Sequence, residues 1–267
     1  MKNTTIAIFM LLVGIIAKGQ DYAQKQLNES PRHHEWVKVS SSDERDVHCF
    51  VAFPEKSEKT LAVIVIHENR GLTDWVRSFA DQLAKAGYLA IAPDLLSNFS
   101  DEYKRTSSFP SPDEARDGIY QLDPDQVTRD LNAVFEYVKN ISACNGNVIV
   151  AGFCWGGSQS FRYATNNKEL KAAMVFYGSA PKDQKEIDRI SVPVYGFYGE
   201  NDNRINSGIP DTETMMKKGG KTYHYEIYKG AGHAYMRRGD DPEGDEANVN
   251  ARNDSWKRIL KILTALW

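Results

Sequence analysis

Long hydrophobic runs are scarce in this 267-residue chain. The most pronounced, IAIFMLLVGIIA from Ile6 to Ala17, is shorter than the ~20 residues that span a bilayer. Charge of one sign is also lacking: 33 lysines and arginines face 36 acids, for a formal net charge of −3. No basic stripe points to nucleic acid as a partner, and no acidic tail points to disorder. Only three cysteines occur, Cys49, Cys144 and Cys154, and no pair of them has zinc-finger spacing. Internal repeats, a phosphate-cradling loop and a dinucleotide fingerprint are absent, since the glycines of GFCWGG are too closely set for G-x-G-x-x-G. No cofactor and no metal is expected, and a monomer is expected.

What is present begins with the N-terminus. One lysine in MKNTT, a short apolar centre and small residues at Ala17 and Gly19 fit a secretory signal peptide over residues 1–19, with an uncleaved anchor as the alternative. Cleavage near Gly19 would remove Lys2 and Lys18, taking the charge from −3 to −5, and would place the mature protein in the periplasm or outside the cell. No stable membrane insertion is expected after cleavage. An odd cysteine count leaves at least one thiol free in such a compartment. A Cys49–Cys144 bridge would spare Cys154, but the two fall on strands that are not expected to be neighbours. Residues 20–34 read as a loose polar leader, and 35–267 as one folded domain.

Within that domain, strands and helices alternate. EWVKVS (35–40) and VHCFVAF (47–53) read as an antiparallel pair. LAVIVIH (61–67), YLAIAPD (88–94), NVIVAGF (147–153), LKAAMVFYG (170–178), VPVYGFYGE (192–200) and YHYEIYKG (223–230) read as further strands. Helical spacing appears over 73–87, over 123–140 with Asp123 as N-cap, from Trp155 onward, and over 255–267. Residues 97–122, rich in Ser, Asp and Pro, read as an excursion with little regular structure, either a lid or a plain surface loop. The alternation predicts an α/β fold, a mostly parallel sheet with helices on both faces. Sites in such sheets form at the carboxyl ends of the strands.

Four of those ends carry reactive residues. They are His67-Glu68-Asn69-Arg70-Gly71, GFCWGG (152–157), Glu200-Asn201-Asp202-Asn203 and GAGHAY (230–235). In GFCWGG a sharp strand-to-helix turn would present Cys154 at a helix N-terminus, with Gly152 and Gly156 allowing close approach of the chain. The helix terminus is expected to favour a thiolate. A small buried structural cysteine is the other reading of that segment. Chain order supports the first: a nucleophile, then an acid, then a histidine, as Cys154, Asp202 and His233, spaced by 48 and 31 residues. Glu200 and Asp211 rival Asp202 as the partner of His233. His33-His34-Glu35 more naturally faces solvent than a metal, and His67-Glu68 lacks the second histidine of a zinc helix.

The set HENRGL, PDL, GFCWGG, YGENDN and GAGHAY resembles the dienelactone hydrolase family of α/β-hydrolases, from about residue 35 to the C-terminus. The resemblance implies Cys154 as nucleophile, His233 as base and Asp202 as its partner. It places Glu68 on the family's carboxylate beside the thiol, where otherwise a loop carboxylate paired with Arg70 would be read. The backbone N–H groups of Trp155 and Asn69 fall at the oxyanion donors. The family's substrates carry a carboxylate held by two arginines. Arg237 matches one; at the other, PDLLSN offers Asn98, for which Arg70 or Arg238 would have to compensate. The expectation is therefore an exported hydrolase of a small-molecule ester or lactone working through a thioester. An esterase of acylated glycans and a non-catalytic binding protein on the same fold are the alternatives.

Overall fold

The computed structural model describes residues 22–41 and 45–267. The expected signal peptide, residues 1–19, lies outside the described residues. Eight strands form one sheet in the order β1-β2-β4-β3-β5-β6-β7-β8. They are β1 (His34–Ser40), β2 (Asp46–Ala52), β3 (Thr60–Ile66), β4 (Leu89–Pro93), β5 (Cys144–Phe153), β6 (Ala173–Phe176), β7 (Val194–Gly199) and β8 (Tyr223–Tyr228). β1 and β2 pair antiparallel, as β2 does with β4, and every other pairing is parallel. The expected α/β-hydrolase architecture is therefore present. All three cysteines are free, and β4 and β3 separate the strands of Cys49 and Cys144.

β3 is buried along its whole length because both faces are covered. On one face lie α2 (Asp74–Lys85) and α10 (Glu246–Leu266), whose Trp75, Phe79, Ile259 and Leu263 join Phe153 and Phe176 in one core layer. On the other lie α4 (Pro124–Lys139) and α5 (Trp155–Asn166), with Leu131, Phe135 and Phe161 packed on Ile64 and Val150. Asp123 caps α4 as expected, accepting from the backbone N–H groups of Asp125 and Gln126. α10 starts nine residues before the expected helix at Ser255, because Asp245 caps it by accepting from Asn248 N. Between β3 and its two neighbours the winding reverses: α2 leads to β4 on one side, and the chain later returns to β5 on the other. A crevice opens at the carboxyl ends of β3 and β5, at this switch point.

Two stretches differ from expectation. The supposed loose leader contains a helix, α1, over residues 22–29, and its Ala23 and Leu27 are buried against the α2 layer. Asp81 on α2, 3% exposed, anchors the segment between α1 and β1. It accepts from Ser30 Oγ (2.8 Å) and from Arg32 Nε and Nη2 (2.7 and 2.6 Å), and it sits 2.7 Å from His34 Nε2. His34 thus turns inward rather than to solvent. The 97–122 excursion is also built. It contains a short 3₁₀ turn at Thr106–Ser108 and α3 (Pro112–Ile119), with Leu96, Ala115 and Ile119 forming a small core. Asp94 ties it down by accepting from Thr106 N and Thr106 Oγ1, both at 2.7 Å.

Burial raises the Asp81 carboxyl, but the hydrogen bonds from Arg32, His34 and Ser30 outweigh it and hold it below the ordinary range. The resulting stabilisation is present above the unfolded carboxylate value near 4 and is lost as pH falls through the lower folded value. Replacing Asp81 by Ala leaves Arg32 buried without its partner. Urea unfolding of D81A should show a loss of about 3 kcal/mol, and limited proteolysis should release the α1 segment first.

Candidate active site

β5 ends at Phe153 and α5 begins at Trp155, so one residue makes the turn. That residue, Cys154, is held at φ 55° and ψ −114°, a backbone conformation non-glycine residues rarely adopt. Its N–H donates to Phe176 O at 3.0 Å. The surrounding glycines are required sterically. A Cβ on Gly152 would sit 2.1 Å from Gly156 O, and one on Gly156 would sit 2.3 Å from His67 O.

Asp202 follows β7 and His233 follows β8. Asp202 Oδ2 lies 2.5 Å from His233 Nδ1, and Asp202 is 5% exposed. Glu200 instead accepts from Gly230 N at 2.8 Å, and Asp211 sits in the first turn of α8 (Ile209–Lys218), on the surface. Of the three rivals, Asp202 alone meets the ring. The rings of His233 and Tyr177 meet in a T-shaped contact, with ring centroids 5.1 Å apart. Tyr177 has φ 40°, is fully buried, and its hydroxyl has no hydrogen-bond partner. Cys154 and His233 line one cleft of about 1010 Å³, together with Glu68, Asn69, Trp155 and Tyr177. No hydrogen bond joins the thiol to the His233 ring among the described residues.

Burial, then the carboxylate of Glu68, push the Cys154 thiol up to about 11. Hydrogen bonding from the backbone of Trp155 and Asn69 and the charge of Arg204 pull the other way, and they lose. The expected thiolate at the helix terminus is thus corrected: the desolvation of a half-buried sulfur beside an anion exceeds what one helix N-terminus supplies.

Glu68 pairs with Arg237, not Arg70: Arg237 Nε donates to Glu68 Oε2 at 2.8 Å. Glu68 Oε1 is buried without a partner. Arg70 lines the cleft 3.6 Å from Asp113 Oδ1. Asn98 does not line it; its side-chain amide donates to Asp46 O at 2.9 Å. Sequence reading passed over Tyr22, Tyr120 and Arg204, all of which line the cleft. Tyr22 was hidden by the polar appearance of its segment, and Arg204 by its place in a single helical turn directly after Asp202. No described group of His, Cys, Asp and Glu has the arrangement of a metal site.

The model of the dienelactone hydrolase family matches residues 47–266. The chain belongs to that family. A Saccharolobus solfataricus protein provisionally named a carboxymethylenebutenolidase is 30% identical over 253 residues, covering 83% of this chain and 95% of its own. A similarly named protein from Salmonella typhimurium is 30% identical over 228 residues, covering 81% and 82%. A solved structure from Klebsiella pneumoniae, provisionally titled a dienelactone hydrolase, superposes with a TM-score of 0.76 at 24% identity, covering 88% of this chain and 99% of its own. The last likeness speaks to the fold. Family membership gives the reaction class, hydrolysis of a carboxylic ester or lactone.

The balance of charges around the thiol is open to titration. With Glu68→Gln the neighbouring anion is gone and Arg237 is released, so the Cys154 value should fall from about 11 while remaining elevated by burial. Iodoacetamide alkylation at pH 8 should accelerate several-fold, since each unit of pKa is worth about tenfold in thiolate. An unchanged pH profile would mean that Glu68 does not control the sulfur.

Proposed function

We propose that this protein is an exported hydrolase of a small-molecule ester or lactone, acting through Cys154, His233 and Asp202 with a thioester intermediate. The observation that carries the reading is the strained turn: Cys154 at positive φ faces a cleft shared with an Asp202-bound His233. Backbone strain of this kind is kept where a side chain must be presented.

In the first step the Cys154 Sγ–H proton passes to His233 Nε2 as sulfur bonds to the substrate carbonyl carbon. Asp202 holds the Nδ1–H and stabilises the imidazolium. The carbonyl π pair moves to oxygen, which receives the N–H groups of Trp155 and Asn69. Collapse breaks the C–O bond, and the leaving alkoxide takes the proton from His233; for a lactone it stays attached to the acyl chain. Water then gives its proton to His233 as it attacks the thioester, and the C–S bond breaks to return the thiol and a free acid. The resting elevation of the thiol means that proton transfer must accompany attack, which gives the imidazole its role. Glu68 is a second acceptor beside the sulfur, restrained by Arg237.

Export rests on the leader-like residues 1–19 alone, and no helix among the described residues is long and apolar enough to cross a membrane. Edman sequencing of the protein from the producing cell should begin within a few residues of Gln20; an intact Met1 would overturn export. A second reading, an esterase of acylated glycans, draws on cleft size: about 1010 Å³ lies at the upper end of small-molecule sites.

Hydrolysis of 4-nitrophenyl acetate, a five-membered enol lactone and an acetylated-sugar panel tests both readings. Turnover should vanish in Cys154→Ala and fall by about a thousandfold or more in Asp202→Asn. Full activity in Cys154→Ala would sink the mechanism, and the preferred member of the panel decides between lactone and glycan.

A further inference from the structure

We propose that His67 is a positioning residue for the oxyanion site: its Nδ1–H holds the Glu68–Asn69 peptide so that the Asn69 N–H faces the reacting carbonyl. The assignment rests on the hydrolase reading above and deepens it. His67 directly follows β3 and is fully buried. Its Nδ1 lies 2.7 Å from Glu68 O, and its Nε2 lies 3.2 Å from Leu95 N, just past the end of β4. A carbonyl oxygen can only accept and a backbone N–H can only donate. The ring is therefore neutral, with its proton on Nδ1. Burial is the largest influence and disfavours the charged ring; the carboxylates of Asp94 and Glu68 act against burial without prevailing.

A buried histidine with both nitrogens satisfied is ordinarily part of the core. His67 differs in which carbonyl it binds. Glu68 O and the Asn69 N–H belong to one peptide group, and that group is trans. In a trans peptide the C=O and the N–H point in opposite directions. A carbonyl drawn to the ring thus aims the N–H the other way, and the Asn69 backbone is one of the groups whose hydrogen bonding pulls the Cys154 thiol down. Gly71 N also approaches Glu68 O, but at 3.4 Å, so the ring makes the shorter bond. The imidazole stacks on Trp155 as well, the residue that carries the second proposed donor, with ring centroids 5.4 Å apart and 13° between the planes. Turning the peptide over would break the Nδ1 bond in a buried place and would set a carbonyl against the forming oxyanion.

Two variants separate the positioning bond from packing. His67→Phe keeps a ring on Trp155 and loses both hydrogen bonds. His67→Asn can place an amide N–H where the Nδ1–H stood, and it leaves Leu95 N unpartnered just as Phe does. Any loss of stability from Leu95 is therefore shared, and only the loss of turnover tells the two apart. On 4-nitrophenyl acetate, kcat should fall by about tenfold or more in H67F with KM nearly unchanged, and should stay within about threefold of wild type in H67N. A smaller fall in H67F, or one carried by KM, overturns the proposal. So does a loss beyond about threefold in H67N, which would mean that His67 serves only to fill space or to hold Leu95. If H67F does not fold, H67N decides by the same threshold. If the wild-type protein turns over no ester of the panel, it is the hydrolase reading that fails. NMR of the nitrogen-labelled imidazole then judges the bond without turnover: a neutral Nδ1–H tautomer at neutral pH sustains the assignment, and an Nε2–H tautomer or an imidazolium overturns it.

Discussion

The one-residue turn between β5 and α5 is the constraint on which the site depends. To hold Cys154 at φ 55°, the first turn of α5 must sit directly on the ends of β3, β5 and β6. There is no room for a methyl group at Gly152, Gly156, Gly157 or Gly178, where an added Cβ would fall 2.1–2.5 Å from backbone atoms. That closeness does more than aim a sulfur. It presses the exit of β3 against the first turn of α5, since a Cβ on Gly156 would meet the carbonyl oxygens of Ile66 and His67. Parallel β5–β6 and β6–β7 pairings then bring Tyr177 and Asp202 to the same edge of the sheet. The strain in one residue is thus supported by the register of three strands.

Electrostatics at the turn oppose one another. The helix N-terminus and Arg204 favour charge on sulfur; burial and Glu68 resist it, and resistance wins. Glu68 is itself held through one oxygen by Arg237, while its other oxygen stays buried and unpartnered. A carboxylate oxygen left unsatisfied costs free energy, and such a cost persists where the group must be able to find a new partner. A neutral thiol is also the less oxidisable form. Burial and Glu68, which push the Cys154 thiol up, thus also shield it from oxidation at rest.

The fold was legible because its signals were redundant. β3 reads as LAVIVI, a run buried on both faces, and Asp123 announces α4. The Asp202–His233 contact was legible through chain order: Asp202 meets the ring, while Glu200 turns to Gly230 N. What escaped was whatever depends on one or two contacts. α1 contributes Ala23 and Leu27 to the core and is otherwise polar, so its docking through Asp81 leaves no periodic trace. The excursion at 97–122 is organised by Asp94 reaching Thr106, a pairing twelve residues apart that no local propensity encodes. The helix-terminus reading of Cys154 erred for a related reason, while Glu68 beside the thiol was legible through the family resemblance. A helix terminus is visible in the sequence, whereas burial and the Glu68–Arg237 pairing arise only on folding.

Chemistry and cleft shape come from different parts of the chain. The family match begins at residue 47, after β1 and α1. It contains the turn, the Asp202–His233 pair and the Glu68–Arg237 pair. Tyr22, on α1, lies outside it yet walls the cleft. α1 is held not by the site but by the Ser30, Arg32 and His34 cluster on Asp81, at the back of α2. Tyr120, at the C-terminal end of α3, reaches the cleft from a segment with its own small core, its hydroxyl accepting from Asn69 Nδ2. The α3 segment also packs on Trp155, the first residue of α5, whereas Tyr22 belongs to a helix docked on the α2 layer. Substitutions at Tyr22 can therefore reshape what the cleft admits while the strand pairings behind Cys154, Asp202 and His233 stay in register. This separation is how one reaction class comes to serve different esters on a single scaffold.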